Sequence, residues 1–187
     1  MGNTASNLPP LKHVANCETA KFMGTWFVIG VKPTPFEKTN SNAVETYTLM
    51  EDKNYDIKID FYYNKMEPIA SKLLSANQKG WIIGDKSNSG EWKVSPFPFI
   101  KFPYLILEVG ESYEYCVIGF PNRNYAWIMG RRPVMPDETY NMLVNRLRDT
   151  HGYDLTGLRK VPQHWTREER SKRGLTANEI PDDMLAE

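Results

Sequence analysis

Hydrophobic and polar residues alternate through the middle of the chain. Tyr55, Ile57, Ile59, Phe61 and Tyr63 share one face, and Asp56, Lys58 and Asp60 share the other. This period of two predicts half-buried antiparallel strands. Trp92 and Val94 flank Lys93. Leu105, Leu107 and Val109 alternate with Tyr104, Ile106 and Glu108, and Tyr113, Tyr115 and Val117 with Glu114 and Cys116. The pattern places strands near 24–33, 43–50, 55–64, 68–76, 91–95, 104–110, 113–120 and 124–131. Pro136 to His151 changes period. Tyr140, Leu143, Val144 and Leu147 fall on one helical face, with Asp137 and Glu138 in the first turn and Gly152 as a stop. The expected fold is all-β: an eight-stranded antiparallel up-and-down barrel with one C-terminal α-helix packed on its wall. Closure removes exposed edges, and eight strands leave an interior just wide enough for one small ligand.

Composition narrows the function classes. The chain has 187 residues, which suits one domain with tails, and it needs no disulfide staples to bury a core. Lys plus Arg number 23 and Asp plus Glu number 23, a balance that argues against nucleic acid as a partner. Residues 1–20 hold no apolar run able to serve as a secretory signal, no segment is long and apolar enough to span a bilayer, and there is no Asn-x-Ser/Thr sequon. An intracellular protein is therefore expected, in which Cys17 and Cys116 are more often free thiols than a bridge. Their separation in space is not readable from the sequence.

The motifs with spacing come next. Lys21 to Gly30 contains Gly24-Thr25-Trp26 at the start of an apolar strand. Pro121 to Arg131 holds a turn, a last strand and an arginine at its end, and the amphipathic helix follows. In this order, over about residues 21–165, the chain resembles the lipocalin family. Within it the resemblance runs closest to the branch of apolipoprotein D, bacterial lipocalins and plant temperature-induced lipocalins. The resemblance implies that Trp26 plugs the closed end of the barrel and that Arg131 lies across its ring. It also gives structural roles to Gly24, Asn122 and Tyr125. A guanidinium on an indole gains cation–π and packing energy together, and Gly24 permits close backbone approach. Asn124 stands where many relatives carry an acid. Glu45 is a second departure, because a small residue is usual there. It shares a face with Tyr47, so it either enters the cavity and needs a partner or is turned outward by a register slip or a bulge.

The resemblance also implies a ligand cavity. Alternation assigns it Val28, Gly30, Tyr47, Ile57, Ile59, Phe61, Ser71, Leu73, Trp92, Val94, Leu105, Leu107, Tyr113 and Tyr115. These apolar and aromatic walls suit a fatty acid, lysophospholipid, sterol or similar molecule, and Tyr113 and Tyr115 are candidates to orient an anionic head group. Two features point to a membrane. Met1-Gly2-Asn3-Thr4-Ala5-Ser6 fits the N-myristoylation pattern at Gly2, and one such chain needs a second contact. Ser95 to Pro103 supplies one: a proline-punctuated apolar loop, expected not to be a strand, with Phe97, Phe99, Ile100 and Phe102 for the bilayer. The plant relatives resemble the chain here, with a hydrophobic proline-rich loop associated with membranes. The other reading of this loop is a ligand lid.

The chain accordingly divides into an arm at 1–20, a barrel domain at 21–165 and a polar tail at 166–187, where Thr166 and Glu169 suit a capping box. The leading function is a non-enzymatic carrier or scavenger of a small hydrophobic ligand, cytoplasmic and peripheral on the cytosolic face of a membrane. No catalytic residue, metal site or cofactor is assigned. His13, His151 and His164 are dispersed, and alternation with Glu114 places Cys116 outside the barrel. The alternatives are an isomerase-like enzyme on the same scaffold, and a stress or signalling adaptor that binds a protein through residues 166–187.

Overall fold

One strand pairs with two partners along its length, and that closes the barrel. In the computed structural model, which describes residues 8–51, 53–66, 68 and 71–186, β1 (Gly24–Lys32) pairs antiparallel with β2 (Asn40–Leu49) through Gly24 to Phe27. From Phe27 to Lys32 the same strand pairs with β8 (Ala126–Gly130). Between them run β3 (Ile57–Lys65), β4 (Leu74–Ile82), β5 (Glu91–Phe97), β6 (Ile100–Val109) and β7 (Tyr115–Gly119), each beside its neighbour in sequence. This is the eight-stranded up-and-down barrel expected from the alternation. A short helix, α1 (Thr19–Phe22), precedes β1.

Beyond Phe27, β1 and β2 part, and the chain after the barrel fills the gap. A two-residue strand, β9 (Arg159–Lys160), pairs with Gly30 and Val31. Val161 N then donates to Ile29 O at 2.8 Å, and Asn42 N donates to Pro162 O at 2.9 Å. The edges that the parting strands expose are covered in this way.

Two apolar layers result. The interior holds Trp26, Val28, Val31, Tyr47, Ile57, Ile59, Trp92, Tyr104, Ile106, Cys116 and Ile118. The outer layer joins Phe27, Ile29, Leu105, Leu107, Val117 and Ile128 to Tyr140, Leu143 and Leu147 of α2 (Asp137–Asp149). Strands beneath α2 are therefore apolar on both faces, and alternation alone does not say which face is inner. Leu105, Leu107 and Tyr115 consequently lie on the outer side, while Tyr104, Ile106 and Cys116 point inward. In β1 a bulge between Val28 and Gly30 reverses the phase. Gly30 faces α2, where a β-carbon would stand 2.7 Å from a Tyr140 ring carbon.

Two strand boundaries differ from expectation. The fourth strand runs from Leu74 to Ile82 rather than 68–76, because its inward positions Ala76, Gln78 and Gly80 carry little hydrophobic signal. Ser71 and Leu73 fall in the connection before it. Residues 95–103 are not a free loop but the end of a hairpin, with Phe97 opposite Ile100. Pro96 sits in the register shift between Val94 and Phe97, and Pro103 stands opposite Lys93. An antiparallel ladder tolerates proline at bulges and at positions that donate no hydrogen bond.

The C-terminal segment packs back on the barrel. Thr166 Oγ1 accepts from Glu169 N at 3.2 Å and starts α3 (Arg167–Lys172). Leu175 and Ile180 are buried in the outer layer, and the ring of Trp165 meets Phe27 edge-on at 5.6 Å. Arg173 is held by Glu169 Oε2 at 2.7 Å and donates to Asn64 Oδ1 on β3. The lipidation site expected at Gly2 lies outside the described residues.

Candidate ligand-binding site

The closed end of the barrel is a stack of rings. Trp26 is fully buried, and its Nε1 donates to Phe22 O at 2.8 Å. Phe22 lies 5.0 Å from Trp26, 5.4 Å from Tyr47 and 5.0 Å from Trp92, centre to centre. Beneath them the Arg131 guanidinium lies 3.7 Å from the centre of the Trp26 ring. It donates to the carbonyls of Lys21 (2.7 Å), Thr25 (3.0 Å), Phe22 (3.2 Å) and Tyr113 (3.2 Å). Gly24 has φ +94°, and a β-carbon there would come within 3.4 Å of Arg131 Nη1. Tyr113 belongs to this end too, with its hydroxyl accepting from Glu18 N at 2.7 Å. It is therefore far from any role at the mouth, and Tyr115 faces the outer layer.

Above the stack lies a cavity of about 530 Å³, inside the roughly 300–1,000 Å³ usual for small-molecule sites. Of the residues assigned from alternation, Ile59, Phe61 and Val94 line it. Tyr47, Trp92, Ile57 and Val28 belong to the packed interior rather than the wall. Gly30, Ser71, Leu73, Leu105, Leu107, Tyr113 and Tyr115 do not reach it, for the reasons of phase and position given above. The rest of the wall comes from Asn40, Glu45, Tyr63, Ala76, Gln78, Phe102, Pro103, Tyr104, Ile118, Phe120, Tyr125, Trp127 and Met129, with Thr34 to Glu37, Pro96 and Phe97 at the rim. Phe102 turns into the cavity and stands 6.4 Å from Phe120, so it is not part of an outer membrane surface.

Glu45 enters the cavity. It is only 8% exposed, and Tyr47 donates its hydroxyl hydrogen to Glu45 Oε2. Tyr47 and Tyr104 hydroxyls lie 2.7 Å apart. Because the Tyr47 hydrogen is committed to Glu45, Tyr104 is the donor to Tyr47. Burial raises the Glu45 carboxyl to about 7; the Tyr47 bond opposes the shift and the charge of Glu37 adds to it. Both tyrosines are pushed well above their ordinary value, chiefly by burial.

Cys116 was expected outside but lies in the interior cluster with Cys17, and both are free thiols. Burial pushes Cys17 up to about 11 and Cys116 well above the usual thiol range. Neither is a ready nucleophile, since only the thiolate attacks. Among the described residues no three His, Cys, Asp or Glu side chains are grouped to hold a metal ion. No described helix is long and apolar enough to cross a membrane.

The turn before β8 is built by side chains that the motif only partly marks. Asn122 Oδ1 accepts from Asn124 N at 2.9 Å, so asparagine at 124 contributes its backbone to this turn. Arg123, at φ +59°, reaches His151 O at 2.6 Å and Pro9 O at 2.7 Å. Tyr125, assigned a structural role, also lines the cavity.

The sequence model of the Lipocalin-like domain matches residues 17–163. The chain belongs to the lipocalin family. Members of this family generally bind small hydrophobic ligands. The chain is similar to temperature-induced lipocalin-1 of Arabidopsis thaliana, 28% identical, with 91% of this chain and 88% of the relative covered. It is also similar to the outer membrane lipoprotein Blc of Citrobacter freundii (26%; 80% and 81% covered). Apolipoprotein D of Rattus norvegicus is 29% identical, with 72% and 70% covered. Among solved structures, insecticyanin from the tobacco hornworm Manduca sexta superposes with a TM-score of 0.61 at 17% identity, covering 86% of this lipocalin and 87% of that chain. Lobster apocrustacyanin A1 gives 0.57 at 13%, covering 88% and 94%. At these identities the structures establish the lipocalin fold and nothing about the ligand.

Proposed function

We propose that this lipocalin carries or scavenges a small hydrophobic ligand in the cavity above Glu45, as a non-enzymatic protein at the cytosolic face of a membrane. The observation that supports the reading most is the cavity itself, about 530 Å³ and walled mainly by aromatic and aliphatic side chains. Affinity would come from burial of hydrocarbon, about 0.8 kcal/mol per methylene before ordering costs. An enzyme acting through Cys116 has less support, because burial keeps that thiol protonated. The test is displacement of a fluorescent apolar probe. Ala76 lines the cavity, and Ala76→Trp would fill part of it. The expected result is roughly tenfold weaker probe binding with an unchanged circular dichroism spectrum. Equal binding by the two proteins would place the probe elsewhere and overturn the reading.

The membrane part of the proposal draws on the tip of the β5–β6 hairpin. Phe97, Phe99 and Ile100 are exposed there beside the cavity rim, and Phe36 is exposed on the β1–β2 connection at the same rim. Phe99 holds φ +69° in the turn, a conformation that bulky residues seldom adopt. A large apolar side chain kept in such a position suits a surface that meets another apolar phase. Phe97→Ser with Phe99→Ser is expected to weaken co-sedimentation with phospholipid vesicles by about tenfold. Vesicle binding that survives both changes would remove the hairpin from the account.

A further inference from the structure

We propose that the ligand is a hydrophobic amine: an amphiphile whose protonated nitrogen sits against Glu45 at the cavity floor, with its hydrocarbon toward the rim. The proposal rests on the carrier reading and adds the polar end of the ligand to it. Four observations carry it.

The first is the charge of the wall. Two carboxylates, Glu37 and Glu45, line the cavity among the described residues, and no lysine, arginine or histidine does. The cation at the closed end, Arg131, lies beneath the Trp26 ring and is taken up by four backbone carbonyls. A ligand carboxylate would therefore enter a cavity that holds two carboxylates and no cationic partner for it.

The second is the state of Glu45. Its Oε2 accepts from Tyr47, which in turn accepts from Tyr104. The Tyr104 and Tyr47 hydroxyls are thus turned toward the carboxylate and have no hydrogen left for an anionic ligand. Glu45 Oε1 accepts no hydrogen bond from the described residues and is not among the sealed-off unpartnered atoms, so it is open to the cavity that Glu45 lines. A carboxylate oxygen facing an apolar cavity is open to a donor from the ligand, and a charged donor bonds it best.

The third observation is independent of the carboxylates. Asn40 lines the same cavity, and its buried Oδ1 has no hydrogen-bond partner among the described residues. An ammonium group has three donors and no acceptor, so it can bond Asn40 Oδ1; the unpartnered donor nearby, Arg159 Nε, belongs to a guanidinium whose Nη2 is taken by the carbonyls of Glu37 and Asn40. The fourth is that Glu37 is fixed rather than free to swing away. Its Oε1 accepts from Trp127 Nε1 at 2.9 Å and its Oε2 from Thr34 Oγ1 at 2.6 Å. Its carboxylate stays at the rim, with Arg159 bonded to the Glu37 carbonyl nearby, so Glu45 is the carboxylate without a cation close to it.

The titratable groups facing Glu45 are Tyr47, Tyr104, Cys116 and Glu37. The two hydroxyls and the thiol are shifted upward and stay protonated near neutral pH, which leaves the two carboxyls to set the charge of the site.

The test compares three ligands with the same twelve-carbon chain: dodecylamine, dodecanol and dodecanoate, each titrated calorimetrically below its aggregation threshold. At about pH 8 the amine is expected to bind at least about tenfold tighter than the alcohol, with the acid weakest. Glu45→Gln should bring the amine to within about threefold of the alcohol. Should that variant fold poorly, the wild-type protein answers alone. Its preference for amine over alcohol should shrink toward unity at about pH 5, where Glu45 is neutral. Acid binding as tight as amine binding, or an amine preference unaffected by both Glu45→Gln and pH, would overturn the proposal while alcohol binding kept the carrier reading standing. If none of the three ligands binds the wild-type protein, the carrier reading falls and the proposal with it.

Discussion

Trp26→Ala is expected to lower the stability of the barrel by about 3–5 kcal/mol, the usual cost of removing a fully buried tryptophan. The ring is fully buried, touches Phe22, and shields Arg131 from the interior. Its removal opens a void between Phe22 and Arg131, and leaves the Nε1 partner, Phe22 O, to Arg131 alone. Arg131 has four carbonyl partners and would keep them, so the loss is chiefly packing and cation–π contact. Urea unfolding measures the effect. A loss under about 1 kcal/mol would mean that the closed end repacks, and that the indole and guanidinium are not what hold it.

The second large effect is a pH dependence centred on Glu45. Its carboxyl stands at about 7 in the folded protein against an ordinary value of 4.5. The folded state therefore holds the proton more tightly than the unfolded chain does. The favourable contribution is complete below the unfolded value and is lost as pH rises through the folded one. The loss between roughly pH 4.5 and 7 amounts to about 3 kcal/mol. Glu45→Gln has nothing to ionise there. The variant should match the wild type at acid pH and exceed it by up to about 3 kcal/mol above neutrality. Other groups titrate over the same range, so the informative quantity is the difference between the two proteins. A difference that does not change with pH would contradict the burial of an ionisable carboxyl at this site.

Keeping a residue that costs stability at neutral pH is the pattern expected where a side chain serves a ligand rather than the fold. The hydrogen-bonded chain from Tyr104 through Tyr47 lowers that cost without removing it, since burial still holds the carboxyl at about 7.

Barrel, helix and closed end were legible because they rest on local signals. The period of two in β3, the period change at Pro136 and the Gly24-Thr25-Trp26 triplet each belong to one element. The cavity wall was less legible, because it depends on which face of a strand points inward. For β3 the polar face of Asp56, Lys58 and Asp60 decides the matter, and Ile59 and Phe61 do line the cavity. For β6 and β7 the wall beneath α2 is apolar on both sides, so Leu105, Leu107 and Tyr115 were as plausible as Tyr104, Phe102 and Ile118. The same ambiguity put Cys116 outside. The bulge after Val28 that turns Gly30 outward leaves no mark in the sequence. In β4, small and polar inward residues hid the strand, which displaced Ser71 and Leu73 from the wall. Glu45 was visible as an anomaly on an otherwise apolar face, and only the three-dimensional placement of Tyr47 and Tyr104 shows which way it turns.

The measurement that bears most directly on the central claim is native mass spectrometry of the full-length protein after incubation with extracted cellular lipids, with the released molecules then identified. A one-to-one complex with a small hydrophobic molecule, lost in Ala76→Trp, is the result expected of a carrier whose site is this cavity. A protein that stays at its unliganded mass across the whole extract would contradict it.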